Sequence, residues 1–171
     1  ALHREVDFEK AQLAFSLQHG LSLKIMNLAI ADDPAFSKEP FLTVKNISLV
    51  FDALKYLSKK EVNLSKITID SFRITIIRGK NGALNVWTKN PNPSSSAQPL
   101  VLPMILISSI EAGNSEVVFI DQTYQSPMRI EISQLGFSLR DFSLTKPFSL
   151  SLEAAILNAK KNVKVDGTAQ L

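Results

Sequence analysis

The residues of this chain that could carry out chemistry are few and widely separated. His3 and His19 are the only two histidines, and the chain contains no cysteine. These residue types therefore predict no zinc site and no thiol chemistry. Acid–base catalysis by Asp32, Asp33 or Asp52 would need partners that converge in space, and the sequence offers no second cluster. The predicted roles are solvation of a loop for Asp32 and Asp33 and a helix N-cap for Asp52.

The glycine-containing stretch Gly79–Gly82 is the one candidate for a phosphate-binding loop. It lacks the spacing of such a loop followed by a helix, so the pattern predicts a hairpin turn. With no convergent polar site elsewhere, we expect no catalytic residue, no metal ligand and no cofactor, and hence a protein that is not an enzyme.

The composition limits the classes of protein to which this chain can belong. The chain has 171 residues, of which 45% are apolar, and its 19 basic and 16 acidic residues give a net charge of +3. The basic residues are spread out, which gives little support for binding to nucleic acid. We expect one β-rich unit over residues 1–171. The sequence does not begin with Met and contains no stretch of about 20 apolar residues. It therefore reads as an excised fragment, with any membrane attachment made by a segment outside this chain.

The elements that would position a functional surface are β-strands. Between Glu61 and Trp87 apolar side chains recur at every second residue, which is typical of a strand with one apolar face. The alternation slips at Ser65–Lys66 and at Asp70–Ser71, and a β-bulge at each slip would restore the facing. The predicted lining of an apolar surface, with the inward-facing phase left open, is Leu49, Phe51, Ile67, Ile69, Phe72, Ile74 and Ile76.

The rest of the chain continues this pattern. Strands are predicted from Leu13 onwards, a short helix over 52–60, a Pro- and Ser-rich loop over 89–101, and further β repeats over 102–171 with a turn at Gly113–Asn114. The predicted fold class is mainly β: an elongated, curved antiparallel sheet with an apolar inner face, forming a half-tube or groove, plus one or two short helices.

An internal repeat relates two of the predicted strands. Residues Val44–Phe51 align with Ile132–Leu139, including the position of the slip. A looser similarity relates Ile67–Ile74 to Leu106–Gly113. Recurring units of strand, slip and strand indicate a sheet that is built by repetition. Chance similarity between amphipathic strands is the alternative.

The order of features over residues 20–88 resembles the AsmA family of Gram-negative envelope proteins, which are relatives of TamB. A hairpin leads to a loop with the sequence Asp-Asp-Pro-Ala-Phe-Ser, then to a strand, a short Leu-rich helix and a long strand. The segment Gly82–Trp87 closes this unit and is its most specific part. Here Val86 separates Asn85 from Trp87, whereas the family pattern has the two residues adjacent.

The resemblance implies a protein anchored in the inner membrane with its bulk in the periplasm. It implies a curved sheet with an apolar lining that binds or conducts phospholipid between the inner and outer membranes. An alternative role is that of a structural or assembly factor for outer-membrane biogenesis, acting on envelope assembly proteins through its sheet edges. From the residues alone, a sheet face covered by a second layer is a further alternative.

Overall fold

A computed structural model describes residues 4–16, 20–52, 58, 62–86, 105–143 and 146–170. Within them the alternating pattern folds into one open sheet of nine strands. The strands, in chain order, are β1 (Val6–Asp7), β2 (Lys10–Ser16), β3 (Gly20–Ala31), β4 (Pro40–Phe51), β5 (Val62–Arg78), β6 (Ile105–Asp121), β7 (Met128–Phe142), β8 (Phe148–Ile156) and β9 (Val163–Ala169). The prediction of a mainly β fold is therefore confirmed.

The strand order is β1-β3-β4-β5-β6-β7-β8-β9, and β2 also pairs with β3. Seven of the strand pairings are antiparallel. The pairing of β5 with β6 is parallel, which corrects the prediction of a wholly antiparallel sheet. Parallel neighbours need a long crossover connection, and the chain between Arg78 and Ile105 is long enough to supply it. Alternation has the same period in both kinds of pair, so it did not reveal the parallel pair.

The predicted slips correspond to two different backbone features. At Ser65 the register between β4 and β5 shifts by one residue, as expected for a bulge. At Ser71 the backbone is left-handed, with φ of 54°, but the register with β4 is the same on both sides. The apolar alternation of β4 slips at the same level, at Lys45, so neither strand carries an extra residue relative to the other there.

Left-handed residues form a line across the sheet. Asn27 in β3 and Ser71 in β5 both lie opposite Lys45, and Ser71 lies beside Asn114 in β6. Gln134 in β7 is also left-handed and immediately precedes the partner of Ser115. We call these four residues the left-handed line. The turn predicted at Gly113–Asn114 is wrong, because Asn114 adopts its turn-like conformation inside the continuous strand β6.

The internal repeat has a structural counterpart around the parallel pair. The aligned strands β4 and β7 are the outer neighbours of β5 and β6, respectively. The two segments of the looser similarity lie in β5 and β6, which are parallel neighbours, and Ile67 pairs with Ile110. Three ion pairs bridge β5 and β6, each with its base on β5: Lys66–Glu111, Arg73–Glu116 and Arg78–Asp121, at 2.8, 3.0 and 3.5 Å.

Some predicted elements lie wholly or mostly outside the described residues. The helix over 52–60 lies outside the described residues except for Asp52 and Ser58, and the loop over 89–101 lies wholly outside them. His3, His19 and Trp87 are likewise outside the described part of the chain. The predicted turn at Gly79–Gly82 is confirmed, because the Gly82 amide donates a 2.8 Å hydrogen bond to the Gly79 carbonyl and Gly82 has φ of 79°.

Candidate functional site

The predicted lining residues lie on adjacent strands and meet apolar partners across them. Directly opposed residues in a sheet project their side chains to the same side. Within β4 and β5, Leu49 pairs with Ile67 and Val44 with Phe72. The remaining predicted residues pair as Phe51 with Leu64, Ile47 with Ile69, Leu42 with Ile74, and Ile76 with Phe119. The structure therefore brings the seven residues into one region of the sheet.

Two unbroken lines of cross-strand partners extend this region across eight strands. The first, which we call the Ile69 row, consists of Ala11, Ile25, Ile47, Ile69, Ala112, Phe137, Leu152 and Val165. The second, the Ile67 row, consists of Leu13, Leu23, Leu49, Ile67, Ile110, Leu139, Leu150 and Gly167. No member of either row is polar. Sequence reasoning found the centre of these rows but did not identify their full extent.

Most side chains in the two rows are only half-buried. Among the lining residues named from sequence, only Phe72 is buried, with 8% of its surface exposed, and it contacts the ring of Phe137 at a centroid distance of 6.4 Å. In the part of the chain that the structure describes, strands contact only their neighbours in the sheet. A second layer over the rows is thus not part of the described structure.

Residues that alternate with the rows are polar and paired with one another. Asn46 in β4 lies opposite Asp70 in β5, and its Nδ2 atom donates to Asp70 Oδ2 at 3.4 Å. Side-chain hydrogen bonds from Asn114 and Ser71 hold the pKa of Asp70 below its ordinary value. The ion pair between Lys66 in β5 and Glu111 in β6 also joins residues that alternate with row members.

Asn85 forms a buried polar cluster at the end of β5, where β4 no longer pairs with it. Its side chain is almost fully buried. The Oδ1 atom accepts a 2.8 Å hydrogen bond from the Ile77 amide, and Nδ2 donates to the Thr75 carbonyl at 2.9 Å and to Asp32 Oδ2 at 2.7 Å. The Asn85 amide also donates to the Ile77 carbonyl at 3.0 Å. Asn85 thus supplies the backbone of β5 with the hydrogen-bond partners that a neighbouring strand would otherwise provide.

Arg4 joins this cluster from the beginning of the described chain. Its guanidinium pairs with Asp32 at 3.4 Å, donates to the Asn85 carbonyl, and lies 4.1 Å from the centre of the Phe41 ring. Asp32 is buried, so the prediction that it is solvated in a loop is wrong. Asp33 does have a turn role, because it accepts a 2.9 Å hydrogen bond from the Ala35 amide. We call Arg4, Asp32, Phe41, Ile77 and Asn85 the Asn85 cluster.

The Asn85 cluster was missed in the sequence because its members are far apart. Asn85 was noted only as part of the segment Gly82–Trp87, and nothing local connects it with Arg4 or Asp32. The contacts of Asn85 and Asp32 hold separate parts of the chain together. Within the described residues, Arg4 Nε and Nη1 are buried without a hydrogen-bond partner.

Asp121 is a second buried carboxylate, at the end of β6. Its Oδ1 atom accepts hydrogen bonds from Thr123 Oγ1 at 2.6 Å and from the Thr123 amide at 3.0 Å. These bonds, with a smaller contribution from the charge of Arg78, lower the pKa of Asp121. This turn role agrees with the position of Asp121 at a strand end.

The described ranges contain neither a metal-ligand cluster nor a membrane-spanning helix. No group of three or more His, Cys, Asp and Glu side chains there could hold a metal ion. No helix within the same residues is long and apolar enough to cross a membrane.

Comparisons with known proteins add no assignment. No protein-family model matches the chain, and no curated protein is significantly similar to it.

Proposed function

We propose that the Ile67 and Ile69 rows are the centre of one curved apolar face that binds phospholipid. The observation that carries this proposal is the length of the two rows, which cross eight strands without a polar member. A continuous apolar surface of this size on a soluble protein usually marks a site of interaction. Burial of an acyl chain there would contribute about 0.8 kcal/mol per CH2 group.

The left-handed line supports curvature in this proposed face. Bulges and left-handed residues inside strands bend a sheet and increase its twist. Asn27, Ser71 and Asn114 lie level with one another in three strands, so their local effects act along one line. A sheet that bends towards its apolar side forms a groove, which would surround an acyl chain and leave the head group in water.

The biological role in this proposal is that of a non-enzymatic envelope protein of the AsmA type. The chain would lie in the periplasm of a Gram-negative bacterium, held at the inner membrane by a segment outside this sequence, and would bind or conduct phospholipid towards the outer membrane. The support is the resemblance of residues 20–88 together with the nine-stranded sheet.

Lipid binding can be tested with two variants of adjacent residues in β5. Ile69 belongs to the row, and Thr68 lies on the other side of the strand opposite Ser48 and Glu111. Ile69→Lys should abolish phospholipid that co-purifies in native mass spectrometry, whereas Thr68→Lys should leave it unchanged. Circular dichroism would establish that both variants fold.

A second measurement keeps the proposal testable if Ile69→Lys fails to fold. A phospholipid with a photoreactive acyl chain, added to the unmodified protein, should label peptides of the two rows. Labelling spread equally over both sides of the sheet, or protein that is repeatedly free of lipid, would refute the proposal.

An assembly role is a second candidate, and one observation favours it. The outer strand β2 is exposed along its whole length, and β9 along most of it. Exposed edge strands can recruit a strand from another protein. In this case a purified outer-membrane assembly protein should bind the chain with equal affinity before and after Ile69→Lys.

A further inference from the structure

Arg140 lines a polar hollow on the side of the sheet opposite the two apolar rows. The hollow has a volume of about 330 Å³, and the described residues around it come from β6, β7 and β8. Arg140 also lines a neighbouring hollow of about 390 Å³. In β7 it directly follows Leu139, a member of the Ile67 row, so the two side chains project to opposite sides. The hollows are therefore separate from the proposed lipid-binding face.

Hydroxyl groups surround Arg140 within the sheet. Ser109 in β6 and Ser149 in β8 are its direct partners on the two sides, and directly opposed residues project to the same side of a sheet. Ser138 precedes Arg140 by two positions in β7 and therefore also shares its side. Within the described residues, no hydrogen bond occupies the side chains of these three serines. Their hydroxyl groups are thus free to donate to a ligand beside Arg140.

The charge of Arg140 is not compensated, whereas the carboxylates around the hollows are. Each of the three carboxylates has a lysine within 3.3 Å, in the pairs Lys66–Glu111, Lys161–Glu153 and Lys164–Asp166. Arg140 is exposed and makes neither an ion pair nor a side-chain hydrogen bond in the part of the chain that the structure describes. Among the described residues that line the hollows, it therefore presents the one unpaired charge, with five N–H donors.

We propose that Arg140, with the hydroxyl groups of Ser109, Ser138 and Ser149, binds a phosphate group. A guanidinium holds two phosphate oxygens through parallel N–H bonds, and hydroxyl groups donate to the remaining oxygens. The serines approach from both neighbouring strands and from β7 itself, and donors from three directions suit a tetrahedral phosphate better than a planar carboxylate. Soluble phosphates and the head groups of phospholipids share this chemistry. The inference does not rest on lipid binding by the apolar rows.

Phosphate binding can be followed at Arg140 itself in the unmodified chain. Inorganic phosphate, added at constant ionic strength, should shift the NMR signal of the Arg140 Nε–H group along a saturating curve. Acetate at the same ionic strength should leave that signal unchanged, because its planar carboxylate cannot reach all of the donors. This titration needs no variant, so it tests the proposal even if a substitution at Arg140 affects folding.

Arg129→Gln is the matched control for Arg140→Gln. Arg129 lies in the same strand, but its charge is already paired with Glu131 at 3.0 Å. Both variants lose one positive charge, so binding that depends on net charge alone would weaken equally in the two. We expect the affinity for inorganic phosphate, measured by calorimetry, to fall about tenfold or more in Arg140→Gln and to stay unchanged in Arg129→Gln.

Vesicles distinguish a lipid head group from a soluble phosphate. If the head group is the source, the chain should sediment with phosphatidylglycerol vesicles, and Arg140→Gln should abolish the sedimentation while Arg129→Gln does not. If the source is soluble, inorganic phosphate should shift the Arg140 signal without any sedimentation that depends on Arg140. A signal that neither probe shifts, a shift that acetate reproduces, or equal weakening in the two variants would overturn the proposal.

Discussion

Asn85 and Asp32 are 53 positions apart in the chain, and Asn85 Nδ2 donates a 2.7 Å hydrogen bond to Asp32 Oδ2. The same nitrogen donates to the Thr75 carbonyl, so one side chain connects the loop after β3 with the end of β5. Arg4 pairs with Asp32 from a third segment. Three separated parts of the chain are therefore held together by one buried amide.

Replacement of Asn85 by Ala should strongly destabilise the fold. The change removes the side-chain partner of the Ile77 amide and of the Thr75 carbonyl, and it leaves Asp32 with its ion pair to Arg4 but without the bond to its Oδ2 atom. Each buried group left unpaired costs about 1–3 kcal/mol, so we expect a loss of about 3 kcal/mol or more in the free energy of unfolding, measured with urea.

Asn162→Ala is the matched control for this change. Asn162 makes the same kind of contacts, accepting from the Ile156 amide at 2.9 Å and donating to the Ile156 carbonyl at 3.0 Å, but at an exposed site. Water can replace these bonds, so a cost of about 1 kcal/mol is expected. If the two variants lost the same free energy of unfolding, the burial of Asn85 would not be the cause of the loss.

Phe72→Ala should destabilise the sheet far more than Phe15→Ala. Phe72 is buried opposite Val44 and contacts the Phe137 ring, so its removal leaves a cavity that costs about 3 kcal/mol. Phe15 is 64% exposed on the outer strand β2, and its replacement should change stability by less than about 0.5 kcal/mol. Urea midpoints of the two variants measure the difference, and similar midpoints would contradict it.

Local patterns predicted the strands well because a period of two depends only on neighbouring residues. The rows around Ile67 and Ile69 follow from that alternation, and the slip at Ser65 is a register shift in the structure. A Gly–Asn pair usually signals a turn, and Asn114 does have a turn-like φ of 53°, but its strand continues. Whether a strand turns or bends at such a residue depends on the neighbouring strands.

The Asn85 cluster could not be predicted in this way. Its contacts join residues up to 81 positions apart, and an Asp in a Pro-containing loop has the same local pattern whether it is solvated or buried. Burial of Asp32 follows from the tertiary position of Arg4. The parallel direction of the β5–β6 pair could not be predicted either, because the alternation within each strand is compatible with both directions of pairing.

The left-handed backbone at Ser71 predicts an unusual order of stability for two substitutions. Ala and Gly both remove the hydroxyl group, but only Ala keeps a Cβ atom, which a left-handed backbone disfavours by about 1–2 kcal/mol. Ser71→Gly should therefore be more stable than Ser71→Ala by about 1 kcal/mol, measured by thermal unfolding. At Thr68, in the regular part of β5, the order should reverse, because Gly there costs about 0.5–1 kcal/mol relative to Ala. The same order at both positions would contradict this assignment of strain.

The lowered pKa of Asp121 predicts that the fold loses stability as the solution becomes acidic. Its pKa lies below the ordinary value of 3.8, chiefly because the Thr123 hydroxyl donates to it. A lowered pKa in the folded state means that the stabilisation is present above the unfolded-state value and is lost as pH falls through the folded value. Thr123→Val should therefore raise the pKa of Asp121, followed by NMR of the carboxyl carbon, and reduce the dependence of stability on acid pH.

The Arg78→Ala variant distinguishes the effect of the Arg78 ion pair on the pKa of Asp121 from the effect of the Thr123 hydrogen bond. Arg78 lies 3.5 Å from Asp121 Oδ2 and is half-exposed, so water and salt screen its charge. We expect its removal to raise the pKa of Asp121 by less than Thr123→Val does, and the difference between the two variants to grow with ionic strength. If Arg78→Ala gives the larger shift, the charge of Arg78 and not the Thr123 hydroxyl would be the main support of the ionised carboxylate.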